Sequence, residues 1–158
     1  METIIRKAVI GDANVLSVLA TEVWLDTYAL EGISPVYAAH LLDEYSPAAF
    51  RRLLQTGGVD VLLCCHGDFV LGYAKLLTKQ QPLDTAYGSA ELATLYVRRH
   101  HKRRGIGVAL LRKTLKLADD AGHQAVYLTV HHANQSAIAF YTAQNFRKLA
   151  TGLSDLKE

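Results

Sequence analysis

Along the chain, apolar residues recur either at helical spacing or in short continuous runs. These two patterns predict alternating helices and strands. Apolar residues recur at helical spacing after Asp12, a typical helix cap, and again from Pro47, which follows Ser46. Gly32 and Pro35 break the chain between these two helices. Continuous apolar runs predict strands. The predicted strands are Thr3–Ala8, Val59–Cys65, Phe69–Leu77, Ser89–Val97, Ala125–Val130 and Phe146–Ala150, and two later helices span Ile106–Ala121 and Asn134–Gln144.

This order of elements predicts a mixed α/β protein in which antiparallel hairpins precede a strand–helix–strand unit. The 158 residues, half of them hydrophobic, are expected to form a single domain, residues 1–158. No apolar run approaches the roughly 20 residues that span a bilayer. Cys64 and Cys65 are adjacent, and strand neighbours face opposite sides, so they cannot readily form a bridge. We expect a soluble, cytoplasmic protein of a reducing compartment, without a membrane partner.

The charge is unevenly distributed. Five of the lysines and arginines fall between Arg98 and Arg104, and removing them from the net charge of +2 leaves −3 for the rest. The acidity concentrates between Thr21 and Glu44, where no Lys or Arg occurs. That acidic segment suits a cationic partner, or it is simply a solvated helix face. Its acidic residues are Glu22, Asp26, Glu31, Asp43 and Glu44.

The basic loop leads from the strand Ser89–Val97 through Gly105 and Gly107 into a helix. Glycines allow close backbone approach, and the free N–H groups of the first helical turn point at an anion. This arrangement predicts a phosphate-bearing cofactor. Arg98, Arg99, Arg103 or Arg104 could reach an outer phosphate, or they form a solubilising patch. Nucleic-acid binding is the weaker alternative, because no second basic stripe or aromatic platform accompanies this loop.

Two motifs about thirty residues apart carry a family resemblance. The loop Lys102-Arg-Arg-Gly-Ile-Gly107 and the segment Leu128–Phe146 resemble the GNAT superfamily of acyl-CoA-dependent N-acyltransferases, over nearly the whole chain from Ile4 to Leu149. The resemblance implies the GNAT acyl-CoA N-acyltransferase fold, a mixed antiparallel and parallel central sheet flanked by helices. It also implies transfer of an acetyl group from acetyl-CoA to a primary amine. Trp24–Tyr28 and Glu91–Val97 are further similar to the polyamine (spermidine/spermine-type) branch, which makes polyamines the first expected acceptors.

The resemblance also implies which residues bind acetyl-CoA. Main-chain groups of one strand would bind the pantetheine arm, backbone N–H groups of the loop the pyrophosphate, and Asn134 the pantetheine, unless Asn134 only caps its helix. Tyr141 would protonate the departing CoA thiolate, since a phenol with a pKa near 10 arrives protonated; otherwise it is a packing residue. The full cofactor-binding set is Leu95, Tyr96, Val97, Lys102, Arg103, Arg104, Gly105, Ile106, Gly107, Val108, Asn134 and Tyr141.

The acceptor amine must also lose a proton before it can attack. Glu91 could act as this base through a water molecule, or it is a strand-end carboxylate paired with a surface cation. Neither cysteine lies in a nucleophile setting, so direct transfer in a ternary complex is expected. The paired histidines suggest no metal site, because adjacent residues seldom share a ligand sphere; they are His100, His101, His131 and His132. A catalytically silent acyl-CoA sensor is the remaining alternative.

Two residues and the C-terminal strand depart from the family pattern. Lys102 stands where the family usually has Gln or Arg, and it still supplies a cation. Asn145 replaces the usual glycine after the last helix, and asparagine also tolerates the left-handed conformation. Few residues follow the strand predicted at Phe146. The final strand is therefore expected to be short or missing, or another chain covers that edge, as in a homodimer.

Overall fold

The computed structural model describes residues 1–78 and 89–149, and every structural statement below refers to these ranges. Five strands form one sheet in the order of the chain, with the first four antiparallel and the last two parallel. The mixed sheet expected from the sequence is confirmed. Its strands are β1 (Ile4–Lys7), β2 (Val59–His66), β3 (Phe69–Leu77), β4 (Ala90–Val97) and β5 (Val126–Tyr127).

The helices cover the two faces of this sheet. One core cluster joins α1 and α3 to β2 and β3, and a second joins α4 and α5 to β2, β3 and β4. We call these sides the α1 face and the α4 face of the sheet. The helices are α1 (Ala13–Tyr28), α2 (Pro35–Glu44), α3 (Pro47–Leu54), α4 (Ile106–Asp120) and α5 (Gln135–Ala143).

Helix α2 corrects the expectation that Gly32 and Pro35 only break the chain. Pro35 occupies the first turn of α2, where its missing N–H costs no hydrogen bond, and Ser34 Oγ accepts from Tyr37 N at 3.1 Å. The same arrangement was predicted correctly for α3, where Ser46 Oγ accepts from Ala49 N at 3.1 Å. Residues 35–44 therefore add a helix beside α1.

Asp12 precedes α1 as predicted, but its carboxylate does not cap that helix. Its Oδ2 accepts from Val9 N at 2.8 Å, and its two oxygens accept from the Arg6 guanidinium, both at 2.9 Å. The hydrogen bond from Arg6 is the main cause that lowers the pKa of Asp12. The carboxylate thus ties β1 to the turn that leads into α1.

Asp12→Asn should lower the free energy of unfolding by about 1–2 kcal/mol at neutral pH, a range reduced for solvent screening of Arg6. Because folding lowers the pKa of Asp12, its contribution is present at neutral pH and disappears as the pH falls below about 4. Urea unfolding at several pH values measures this. The control is Asp60→Asn, which removes the carboxylate of a half-buried aspartate that lies 3.6 Å from the exposed ammonium of Lys7. An equal effect of both substitutions would contradict the assignment.

The C-terminal part of the sheet is shorter than predicted. Ala125–Val130 was expected to be a buried strand, yet only Val126 and Tyr127 pair, and both are half-buried. No strand forms within residues 146–149, while Ala150, the last residue of the predicted strand, lies outside the described residues. Phe146 instead turns back onto α5, where its N–H donates to Tyr141 O at 3.0 Å. Asn145 makes this turn at φ 71°, as expected.

Candidate active site

The two parallel strands β4 and β5 separate soon after they meet. They pair only at Ala90 with Val126 and at Glu91 with Tyr127, and β4 then continues to Val97 without β5 beside it. The other edge of β4 remains paired with β3 over this stretch. Main-chain groups point alternately to the two sides of a strand, so part of the backbone of residues 95–97 faces the side that β5 has left. This edge can accept an extended ligand as an added strand.

A β-bulge at Ala93 sets which side chains of β4 face each side of the sheet. Lys75 of β3 pairs with Thr94, whereas the next residue pairs with Leu92, so Ala93 is the extra residue. Leu92 packs in the α4-side core, as do Leu95 and Val97, while Tyr96 packs in the α1-side core. Alternation before the bulge places Glu91 on the α1 face. No local sequence pattern indicates this bulge, because it depends on the partner strand.

The loop between β4 and α4 presents backbone donors. Gly105 has φ 82°, and no side chain caps the first turn of α4. Arg103 has φ 64° as well, so two residues of the loop are left-handed. Gly107 instead allows close packing, since a Cβ there would lie 3.5 Å from Cζ of Phe140 in α5. Uncapped N–H groups at a helix N-terminus form an anion-binding site.

The cations of the loop are not equivalent. Arg98 is bound to Glu22 of α1 through two hydrogen bonds, of 2.7 and 3.0 Å, which lower the pKa of Glu22. Glu22 was one of five acids that could face a cationic partner, and Arg98 was one of four arginines that could reach a phosphate. These two residues instead pair with each other. Among the described residues, no ion pair engages the other four cations of the loop. These are Arg99, Lys102, Arg103 and Arg104, and all are exposed.

Helix α5 carries the two polar residues expected at the site. Asn134 caps this helix, since its Oδ1 accepts from Ala137 N at 3.1 Å. Tyr141 lies seven residues further, between the rings of Phe140 and Phe146 at 5.2 and 5.5 Å. Burial raises the pKa of Tyr141 to about 12, so its hydroxyl is protonated at neutral pH. It remains a proton donor.

The α1 face opposite this helix is lined by aromatic residues. The ring of Trp24 lies 5.1 Å from Tyr28, 5.1 Å from Tyr37 and 5.2 Å from His40. We call these four residues the aromatic cluster. Trp24 and Tyr28 are the first and last residues of the segment that is similar to the polyamine branch, but their grouping with Tyr37 and His40 was not predicted. The i, i+4 and i, i+3 spacings within the two helices are a detectable signal.

The aromatic cluster is linked to β4 at the stretch whose β5 edge is unpaired. His40 lies 5.8 Å from the ring of Tyr45, whose hydroxyl lies 3.1 Å from that of Tyr96. Glu91, only 3% exposed, occupies the same face of β4. A surface of rings and a buried carboxylate therefore lie across the sheet from α4 and α5.

The described residues were also compared with the requirements of a metal site and of a membrane-spanning helix. Within residues 1–78 and 89–149, no group of three or more His, Cys, Asp or Glu side chains is arranged to hold a metal ion. In the same ranges, no helix is long and apolar enough to cross a membrane.

The model of the acetyltransferase (GNAT) family matches residues 22–146. The chain belongs to this family and is an acetyl-CoA-dependent N-acetyltransferase. An uncharacterised N-acetyltransferase of Mycobacterium tuberculosis (strain H37Rv) is 29% identical over 116 residues, which cover 73% of this chain and 70% of the relative.

Solved structures share the fold at lower sequence identity. The PaiA N-acetyltransferase of Thermoplasma acidophilum, in complex with coenzyme A, is 24% identical with a TM-score of 0.84, covering 98% of this chain and 96% of that one. The aminoglycoside acetyltransferase AAC(6')-Iy, bound to a bisubstrate analogue, is 15% identical with a TM-score of 0.77, covering 100% and 99% of the two chains.

Proposed function

We propose that the protein transfers the acetyl group of acetyl-CoA to a small primary amine by direct attack in a ternary complex. One observation carries this proposal: β4 and β5 part after Glu91, beside the uncapped start of α4. An extended thiol arm can pair with the free edge of β4 while a pyrophosphate binds at the helix N-terminus. Acetyl-CoA has both groups, joined in one molecule.

Binding of the thiol arm to β4 and of the pyrophosphate to the start of α4 predicts which residues hold acetyl-CoA. Residues 95–97 offer main-chain groups to the pantetheine arm, and residues 102–108 offer N–H groups and cations to the pyrophosphate. Arg99, Arg103 and Arg104 are the arginines left for the outer phosphate, because Arg98 is occupied by Glu22. Asn134 donates from its amide nitrogen to the pantetheine. An N–H near Tyr96 stabilises the thioester oxygen as negative charge develops on it.

Two side chains handle protons on opposite faces of β4. Glu91, on the α1 face, takes a proton from the acceptor ammonium through water, and the freed lone pair attacks the thioester carbon. As the carbon–sulfur bond breaks, the hydroxyl of Tyr141 donates to the sulfur, and the attacking nitrogen loses its second proton to water. Tyr141 regains a proton from water as CoA leaves. An amine thus becomes an amide while CoA leaves as a thiol. No covalent enzyme intermediate is needed, since both cysteines are buried in β2.

The aromatic cluster and its acidic surroundings support a polyamine as the acceptor. Rings attract organic cations, and no Lys or Arg occurs between Thr21 and Glu44 to repel one. Glu22 is neutralised by Arg98, but four acids of this segment remain exposed. They are Asp26, Glu31, Asp43 and Glu44. A second ammonium on the acceptor binds to this surface while the first one reacts.

A panel of amines tests the acceptor class. At low ionic strength, diamines and spermidine should show higher kcat/KM than monoamines of equal chain length, because only the former place a second charge at the acidic surface. Added salt should reduce this preference by screening it. Acetylated product is measured by mass spectrometry. Equal or better turnover of neutral or acidic amines, such as amino acids, would contradict the polyamine assignment while leaving acetyl transfer in place.

Gly105→Ala should weaken acetyl-CoA binding, because the left-handed backbone at φ 82° is strained for alanine and orients the first N–H groups of α4. Gly122→Ala is the matched control, since Gly122 has φ 92° at the opposite end of α4. Calorimetric titration should show a tenfold or greater loss, roughly 1.4 kcal/mol, at Gly105 only. Similar affinities for the two variants would place the phosphates elsewhere.

A further inference from the structure

Lys75 is a half-buried lysine in the middle of the sheet. It lies in β3, the third of five strands, between Val61 of β2 and Thr94 of β4, and its side chain is not exposed. Lysines are rarely buried without a partner, because removing an ammonium from water costs free energy. Neither packing nor the proposed transfer step explains why a lysine lies at this position.

Strand geometry places Lys75 and Glu91 together on the α1 face. Tyr73 packs in the α1-side core, and Lys75, two residues later in the same strand, points to the same side. Leu77, two residues further, pairs directly with Glu91. Lys75 and Glu91 are therefore diagonal neighbours, whose positions on antiparallel strands lie about 7–8 Å apart, within reach of long side chains.

The electrostatics of Lys75 agree with this placement. Burial lowers the pKa of Lys75, while Glu91 and then Glu44 act to raise it. Among the ion pairs of the described residues, none joins Lys75 directly to either acid. The charges therefore interact through space, where a low local dielectric strengthens their attraction.

The other titratable groups around this pair are neutral phenols or lie further out. Burial raises the pKa of Tyr45, Tyr73 and Tyr127, so these phenols are protonated at neutral pH. Asp60 of β2, which pairs with Lys7, lies between Val59 and Val61 of the α1-side core and therefore points to the α4 face. The groups on the α1 face are Glu44 and Tyr45 from the α2 end, Tyr73 from β3, Glu91 and Tyr96 from β4, and Tyr127 from β5.

We propose that Lys75 is a positioning residue whose ammonium charge attracts and orients the carboxylate of Glu91 on the face from which the amine approaches. A carboxyl group accepts a proton only while ionised, and burial in general opposes ionisation unless an opposite charge is near. Lys75 supplies that charge without taking the proton itself. This inference rests on the proposed function, in which Glu91 is the proton acceptor.

The coupling can be measured without turnover. The proton titration of Lys75 is followed by NMR of its Cε–Hε signals, which Lys75→Arg identifies by their loss. In Glu91→Gln the midpoint should fall by about half a pH unit or more, since the charge that raises it is gone. Glu44→Gln, the control, should lower it less. An unchanged midpoint in Glu91→Gln would overturn the proposal.

The pH dependence of kcat/KM separates this role from packing. Lys75→Met should move the acidic limb of the profile to higher pH, because the variant lacks the positive charge beside the carboxylate. Lys75→Arg should restore the wild-type limb, and Glu91→Gln should abolish it. Lys75→Gln replaces the methionine variant if that one does not fold.

The outcomes distinguish this proposal from the proposed function. Reduced rates in Lys75→Met with the acidic limb in place would make Lys75 a packing residue and overturn the inference. A wild-type limb in Glu91→Gln would overturn it too, by removing Glu91 as the base. Absence of acetylated product from every amine would instead refute the proposed function, and the NMR titration would still decide whether the two charges are coupled.

Discussion

Tyr141→Phe is expected to lower kcat by about 10²–10⁴-fold, the usual contribution of one general acid. The phenylalanine ring preserves the contacts with Phe140 and Phe146, so the affinity for acetyl-CoA should change little. Only the hydroxyl that donates to the leaving sulfur is lost. Because the pKa of Tyr141 is about 12, this hydroxyl stays protonated at physiological pH, and the loss should be constant between roughly pH 6 and 9.

The acyl donor provides the control for this prediction. A thioester with a less basic thiol leaving group needs less protonation, so the loss of rate should shrink with such a donor. The rates are compared under conditions in which chemistry, and not product release, limits turnover. Wild-type rates in the phenylalanine variant would show that Tyr141 serves packing alone.

Gly72→Ala is expected to lower the free energy of unfolding by about 1–3 kcal/mol, as overpacking does. Gly72 pairs with Val97, and a Cβ added to it would lie 2.6 Å from Tyr96 O and 3.3 Å from Val97 Cα. Both are backbone atoms of the strand proposed to bind the pantetheine arm, so β4 must shift. The affinity for acetyl-CoA should therefore fall together with stability.

Gly11→Ala is the control, because a Cβ at Gly11 meets nothing within 4 Å and its φ is not left-handed. Its effect on unfolding should stay within about 0.5 kcal/mol. Chemical denaturation and calorimetric titration measure both properties. An alanine at position 72 that leaves stability and acetyl-CoA affinity unchanged would contradict the close approach of β3 and β4.

Local sequence patterns correctly predicted the helices and strands whose ends are set by nearby residues. Helix α4 begins at Ile106 and ends within one residue of the prediction, because Gly105 and Gly122 mark its two ends. The β2–β3 hairpin also matched the prediction within one residue, with Gly67 at φ 58° in its turn. Helix α2 was missed because Pro35 was interpreted only as a chain breaker.

Features that depend on contacts distant in sequence could not be predicted. Glu22 and Arg98 are 76 residues apart, and nothing local to either residue indicates their pairing. The bulge at Ala93 and the diagonal placement of Lys75 and Glu91 arise from strand register. The motifs pointed to Tyr141, Asn134, residues 95–97 and the glycine loop. The environment that gives these side chains their charge states comes from the tertiary fold.

Intact-protein and small-molecule mass spectrometry on one reaction mixture test the central claim most directly. The enzyme is mixed with acetyl-CoA, first alone and then with spermidine. We expect no acetylated protein intermediate in the first mixture, and equal amounts of acetylated amine and free CoA in the second. Binding of acetyl-CoA without acetylated product, with spermidine or any other amine of the panel, would contradict the account and identify a catalytically silent acyl-CoA sensor.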